Sequence, residues 1–390
     1  MKGKSRTWCL IMCLLCWCFT GTVWAGEKED ITEQLLEQLD VSQLNSYVDK
    51  LNTELGREAL PKLNGETISK MLFNGLNFNI ATLMKNMMYL FFREVASDLR
   101  LLGKLIFLAV LCALLQNLQS SFENSTVGSV AYGVCFLFLA VIAMESFHIA
   151  MQAGKSAVEN MSDFMTALLP LMISLLAGVG ALTSAALFQP VLLFTVNFIG
   201  IGIKNVIFPL LYLSAILDIV GRIAERYRVS NLTGLLKQMS LFSLGLSLTL
   251  FLGVIAVQGV TGGMTDGISL RVAKFATGTF IPVVGKMFSD AVELVMGLSL
   301  LLKNVIGFFG ALIIIGLCAY PGIKILSMVF IFKVAGVLVQ PVGEERMAKC
   351  LDEIGNNLLL VFAAVITVAL MFFLAVTIMI GAGSMAVMLR

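Results

Sequence analysis

The run NLLLVFAAVITVALMFFLAVTIMI, from Asn357 to Ile380, holds 24 residues and no Asp, Glu, Lys or Arg. About 20 apolar residues in a helix cover the roughly 30 Å hydrocarbon core of a bilayer. A helix on the surface of a soluble protein would carry a charged face, and this run has none. It reads as a membrane-crossing helix. Moving outward, a charged stretch from Glu344 to Glu353 precedes it, and apolar runs of similar character lie near 101–118, 130–150, 164–182, 185–203, 205–221, 239–260, 294–319 and 323–341. The predicted fold class is all-α: a polytopic transmembrane helix bundle of about nine helices over residues 101–390.

Composition agrees. Hydrophobic residues make up 58% of the 390 and charged residues 13%, with a mean hydropathy of +0.92. Soluble domains carry about 25% charged residues, so this chain lacks the polar surface to face water all round, and lipid is its expected partner. The 34 Gly and 21 Met suit membrane helices, where small residues permit close approach and Met fills irregular gaps. A net charge of +2 gives no nucleic-acid footprint. Cys112, Cys135, Cys318 and Cys350 show no metal-ligand or redox spacing and read as small apolar residues.

The N-terminus has the three-part layout of a cleavable signal peptide over residues 1–25: Lys2, Lys4 and Arg6, an apolar stretch from Trp8 to Val23, and Val23-Trp24-Ala25 at the cleavage site. An uncleaved first membrane helix is the alternative. Residues 26–80 then form a short helical, acidic, extracytoplasmic N-terminal region, with ten acidic and five basic residues between Gly26 and Lys70. Ile31, Leu35, Leu36 and Leu39, then Val41, Leu44, Val48, Leu51 and Leu55 recur at helical spacing. That stripe needs a cover, either an extracytoplasmic partner or the protein's own next helix. Residues 81–100 read as an interfacial amphipathic helix.

Nine crossings from an outside N-terminus put the basic loop Arg222–Lys237 in the cytoplasm, as the positive-inside rule prefers. Arg93, Arg100 and Lys104 then fall on the less favoured side, as does the basic 261–290 segment. Phe188-Gln189-Pro190-Val191 resembles Val339-Gln340-Pro341-Val342, and a charged stretch before a long apolar span occurs at 222–260 and again at 344–380. Duplicated halves are common in transporters, but this echo is short.

Ionisable groups within apolar runs call for an explanation. Glu145 and His148, the single His, are three apart near the end of the second run. They are either a proton relay or residues at headgroup level. Asp218 and Arg222 are spaced for an intrahelical ion pair. Lys104, Lys204, Lys303, Lys324 and Lys333 are expected to snorkel to the interface. Glu145, His148 and Asp218 are the candidate intramembrane polar residues of a secondary transporter. The sequence carries no Walker A, Gly-x-Ser-x-Gly or His-Glu-x-x-His motif, so neither an enzyme nor a cofactor or metal site is expected. The stretch from Gln258 to Ala291, QGVTGGMTDGISLRVAKFATGTFIPVVGKMFSDA, is too polar for a lipid-facing span and too apolar for an ordinary loop. It reads as a re-entrant element or an interfacial helix. Asp266, Arg271, Lys274, Pro282, Lys286 and Asp290 are its candidate pore or subunit-contact residues.

Residues Thr265–Ile268, Ala273–Phe275, Phe280–Gly285 with Met287-Phe288, Leu114–Gln116, Ser146–His148, Pro209–Leu211, Leu213–Leu217 and Gln340-Pro341 resemble the stage III sporulation protein AE family of endospore-forming bacteria. The resemblance implies a non-enzymatic membrane subunit of a secretion-like channel complex between mother cell and forespore, needed for forespore development. It implies residence in the mother-cell membrane around the forespore, with other stage III A proteins and the forespore stage II Q protein as partners. It carries no catalytic residues. Self-association as a homo-oligomer is compatible with it.

Overall fold

The computed structural model describes residues 42–55, 80–121, 125–223, 230–280, 284–342 and 345–388. The expected signal peptide, most of the 26–80 region and Pro282 lie outside the described residues. So do the side chains of Arg271, Lys274, Lys286 and Asp290. Among the described residues every regular element is helical: α1 (Ser42–Leu55), α2 (Ile80–Ser121), α3 (Ser125–Gly178), α4 (Leu182–Gly202), a π turn (Ile203–Ile207), α5 (Phe208–Ile223), α6 (Ser230–Phe280), α7 (Val284–Val339), a 3-10 turn (Gln340–Val342) and α8 (Glu345–Met388).

Among the described residues, five helical runs are long and apolar enough to cross a bilayer: Val130–Gly178, Leu182–Arg222, Asn231–Gln258, Val292–Val339 and Glu345–Ala382. Together they make the chain a multi-pass membrane protein. Their outer faces fit lipid, since Phe194, Phe198 and Phe242 are exposed on an apolar surface that water would not tolerate.

Several expected breaks are absent. The runs 130–150 and 164–182 belong to one 54-residue helix, α3. The runs 294–319 and 323–341 lie in the 56-residue α7. At 1.5 Å per residue these helices rise about 81 and 84 Å, well beyond one hydrocarbon core. Polar residues 151–163 therefore interrupt the apolar character of α3 but not its backbone. Pro170, Pro190 and Pro321 likewise sit inside helices. Each lacks an N–H, a defect that packed neighbours in a membrane bundle can absorb. The expected pair 185–203 and 205–221 is joined through the π turn, an insertion that keeps the chain helical. Residues 81–100 continue without a break into 101–118 as α2, and Asp98 accepts a hydrogen bond from Ser327 Oγ of α7 at 3.0 Å. Gln258–Phe280 and Val284–Ala291 are the end of α6 and the start of α7. Among the described residues, then, the stretch is regular helix rather than irregular re-entrant backbone. Its glycines weaken helix propensity by about 1 kcal/mol each relative to Ala, yet the first proline comes only at position 282.

The stripe of α1 is covered from within. Leu44, Val48 and Leu51 are buried, Tyr47 meets the Phe164 ring edge-on at 5.3 Å, and Lys50 Nζ donates to Asn160 Oδ1 at 2.8 Å. The helix thus packs along α3, and Leu51 reaches Gly316 of α7. The Gln-Pro-Val echo is not a structural repeat: Pro190 is inside α4, whereas Pro341 is in the turn that ends α7.

α7 and α8 form an antiparallel hairpin, with Lys333 against Asp352, Gly322 against Phe362 and Gly307 against Ile380. Glycine sets their approach. A Cβ at Gly336 would stand 3.2 Å from the Ala348 carbonyl oxygen and 3.5 Å from the Asp352 nitrogen. Those are backbone atoms, which cannot turn aside. Gly336→Val should therefore cost about 2 kcal/mol by overpacking. The check is a thermal melt of the purified protein in detergent, where an unchanged midpoint would contradict this packing.

Candidate functional site

Three helices bring charge together near one edge of the apolar layer. Asp218 lies four residues before the end of its apolar run, Lys237 six residues into the next, and Glu353 eight residues into the last. At 1.5 Å per residue these depths are about 6, 9 and 12 Å. Lys237 Nζ is 2.8 Å from Asp218 Oδ2 and 2.7 Å from Glu353 Oε2. Asn357 Nδ2 donates to the same Asp218 oxygen at 2.8 Å, and Ser214 Oγ donates to Asn357 Oδ1 at 3.3 Å. Ser214 and Asn357 are fully buried. Arg222 Nη2 stands 3.8 Å from Glu353 Oε1. The expected intrahelical pair of Asp218 with Arg222 is replaced by these contacts, because α6 and α8 offer each residue a partner across the bundle. The result is one ammonium shared by two carboxylates, with a buried amide and hydroxyl fixing the orientation of Asp218.

Beside it, Lys333 Nζ donates to Asp352 Oδ1 and Asn356 Oδ1, both at 2.6 Å. Asn356 and Asn357 are adjacent on α8 and face two different polar groups, which joins α7 to the same belt.

Asp266 is part of a separate construction. α3 ends in a Schellman motif: the Ala181 N–H reaches the Leu176 carbonyl at 3.2 Å and the Gly180 N–H the Ala177 carbonyl at 2.9 Å. Gly180 has φ 90°, a conformation that suits glycine. α4 follows with Ala181 at its N-cap and no side-chain cap of its own. Asp266, 1% exposed, supplies the cap from α6. Its Oδ1 accepts the Thr183 N–H at 2.8 Å and its Oδ2 the Ser184 N–H at 2.9 Å. These are the second and third helical residues, whose N–H groups a local N-cap side chain would satisfy. A carboxylate is also the favoured charge at a helix N-terminus.

Glu145 and His148 are exposed on α3, and the His148 ring meets Tyr212 of α5 edge-on at 6.2 Å. They stand on the outer face of α3, while Asp218 is turned into the α5–α6–α8 contact. Lys204 pairs with Glu159 at 2.6 Å on the surface, as a snorkelling lysine can. Lys303 does not snorkel. It is fully buried, and its Nζ donates to the Ile380 carbonyl of α8 at 2.8 Å. Lys237, Glu353 and Asn357 were not singled out by sequence reasoning. The signal was present in the two charged stretches before long apolar spans, near 222–237 and 344–353, which the fold sets side by side.

The family model of stage III sporulation protein AE matches residues 64–383. The chain is 41% identical over 366 residues to stage III sporulation protein AE of Bacillus subtilis (strain 168), covering 94% of this chain and 92% of that protein. No solved structure matches.

Proposed function

The chain belongs to the stage III sporulation protein AE family, and from that premise we propose that it is a non-enzymatic membrane subunit of a channel complex between mother cell and forespore. In this reading it sits in the mother-cell membrane around the forespore. Its partners there are other stage III A proteins and the stage II Q protein, and it supports forespore development. The observation that carries the reading is the match along nearly the whole chain together with five apolar helices of spanning length. The polar belt of Asp218, Lys237, Glu353 and Asn357 joins α5, α6 and α8 through satisfied contacts, which suits a membrane platform that holds its shape under load from neighbours.

Purification from sporulating cells in mild detergent tests this directly. Other stage III A proteins should co-purify. Recovery as a homogeneous particle that transports a solute when reconstituted alone would overturn the subunit reading. It would also favour the transporter reading, with Asp218 as its intramembrane acid.

A further inference from the structure

The end of α5 and the start of α8 border an open, shallow cavity of about 170 Å³, lined by Gly221, Arg222, Glu345, Arg346 and Lys349. Three cationic side chains face one carboxylate. Gly221 brings no side chain, which leaves the α5 wall open to a ligand. Glu345 is held by Lys349 at 2.6 Å on the exposed side, while Arg222 makes a long 3.8 Å contact with Glu353. A guanidinium has five donors, so that one contact leaves Arg222 with capacity to spare. A space of about 170 Å³ has room for a phosphate with its four oxygens. Guanidinium forks bind phosphate in bidentate fashion, and lysine adds a point charge.

Depth narrows the source. One apolar run ends at Arg222 and another begins at Glu345, so the cavity opens at the level where hydrocarbon gives way to headgroups. Basic pockets between membrane helices at that level suit anionic lipid headgroups. We propose that this cavity is a phosphate-binding site, filled by the headgroup of an anionic phospholipid.

The test uses the full-length protein in detergent. Its melting temperature is followed while phosphatidylglycerol, phosphatidylcholine or inorganic phosphate is added. Phosphatidylglycerol should raise it saturably, and phosphatidylcholine should not. In the Arg346→Gln/Lys349→Gln variant the apparent affinity should fall about 30-fold, at about 1 kcal/mol per basic residue. Both residues are exposed, so the variant should melt normally without lipid. Lys204→Gln, an exposed lysine paired elsewhere, should retain wild-type affinity. Stabilisation by inorganic phosphate that the double variant loses supports the site with free phosphate as its source. Equal responses to both lipids, an unchanged affinity in the double variant, or binding of an acidic peptide while phosphate compounds are inert would each overturn the proposal.

Discussion

Asp266→Ala should lower the melting temperature of the detergent-solubilised protein by roughly 6 °C. Two charge-assisted hydrogen bonds disappear, and the N–H groups of Thr183 and Ser184 lose their acceptors in a buried setting. Each hydrogen bond to a charged group contributes about 1.5–3 kcal/mol, so at the low end the two bonds, which together make up the helix cap, are worth about 3 kcal/mol. At roughly 2 °C per kcal/mol for a chain of this size, the shift follows. Asp266→Asn should fall between wild type and Ala, because its amide keeps one acceptor oxygen but turns an NH₂ toward the second donor. Ala181→Ser placed on top of Asp266→Ala should restore part of the loss by giving α4 a local cap. If Ala and Asn variants melt like wild type, the carboxylate does not hold α4. A subunit-contact role without structural weight would instead leave the melt unchanged while weakening association.

Lys237→Met should cost about 3 kcal/mol. Removing one member of a buried ion pair typically costs 3–5 kcal/mol because the remaining charge stays uncompensated. Here two carboxylates would face each other with Arg222 and Asn357 as their remaining polar neighbours. The side chains of Lys237, Asp218 and Glu353 are 22, 12 and 32% exposed, and solvent screening puts the estimate at the low end. The triple variant Lys237→Met/Asp218→Asn/Glu353→Gln should recover most of the stability, since replacing a whole buried cluster by neutral groups is often close to neutral. That variant also separates structure from function. Normal sporulation with it would make the belt a helix clamp. Failure to sporulate at wild-type protein level would show that the charges themselves are used. If Lys237→Met melts at the wild-type temperature, the network contributes nothing measurable.

The helical class and the membrane location were legible because an apolar run such as Asn357–Ile380 has no other stable home. The stripe of Leu44, Val48 and Leu51 was legible as a buried helix face, but not what buried it, since spacing shows a face and not its neighbour. Helix length was misread where separate apolar runs flank residues 151–163 and 320–322. A polar segment ends a hydrocarbon crossing without ending a helix. The site residues divide in the same way. Asp218 stood out as a charge within an apolar run, whereas Lys237 looked like the edge of a basic loop and Glu353 like part of a charged leader. Their meeting depends on the antiparallel and parallel placement of α5, α6 and α8, which no local spacing encodes. Asp266 drew notice for its unusual surroundings, but its role depends on Ala181, 85 positions earlier, being unable to cap its own helix.

The α7–α8 hairpin has a mechanical side. Lys303 ties the two rods at the Ile380 carbonyl, and Lys333 ties them again at Asp352 and Asn356. The ties are 30 residues apart along α7, about 45 Å, with glycine contacts at Gly307 and Gly322 between them and at Gly336 just beyond the second. A doubled beam pinned at two points resists both bending and sliding. To flex, it would have to shear every glycine contact at once. A push at either end of this beam is therefore delivered across the full thickness of the hydrocarbon as tilt or rotation.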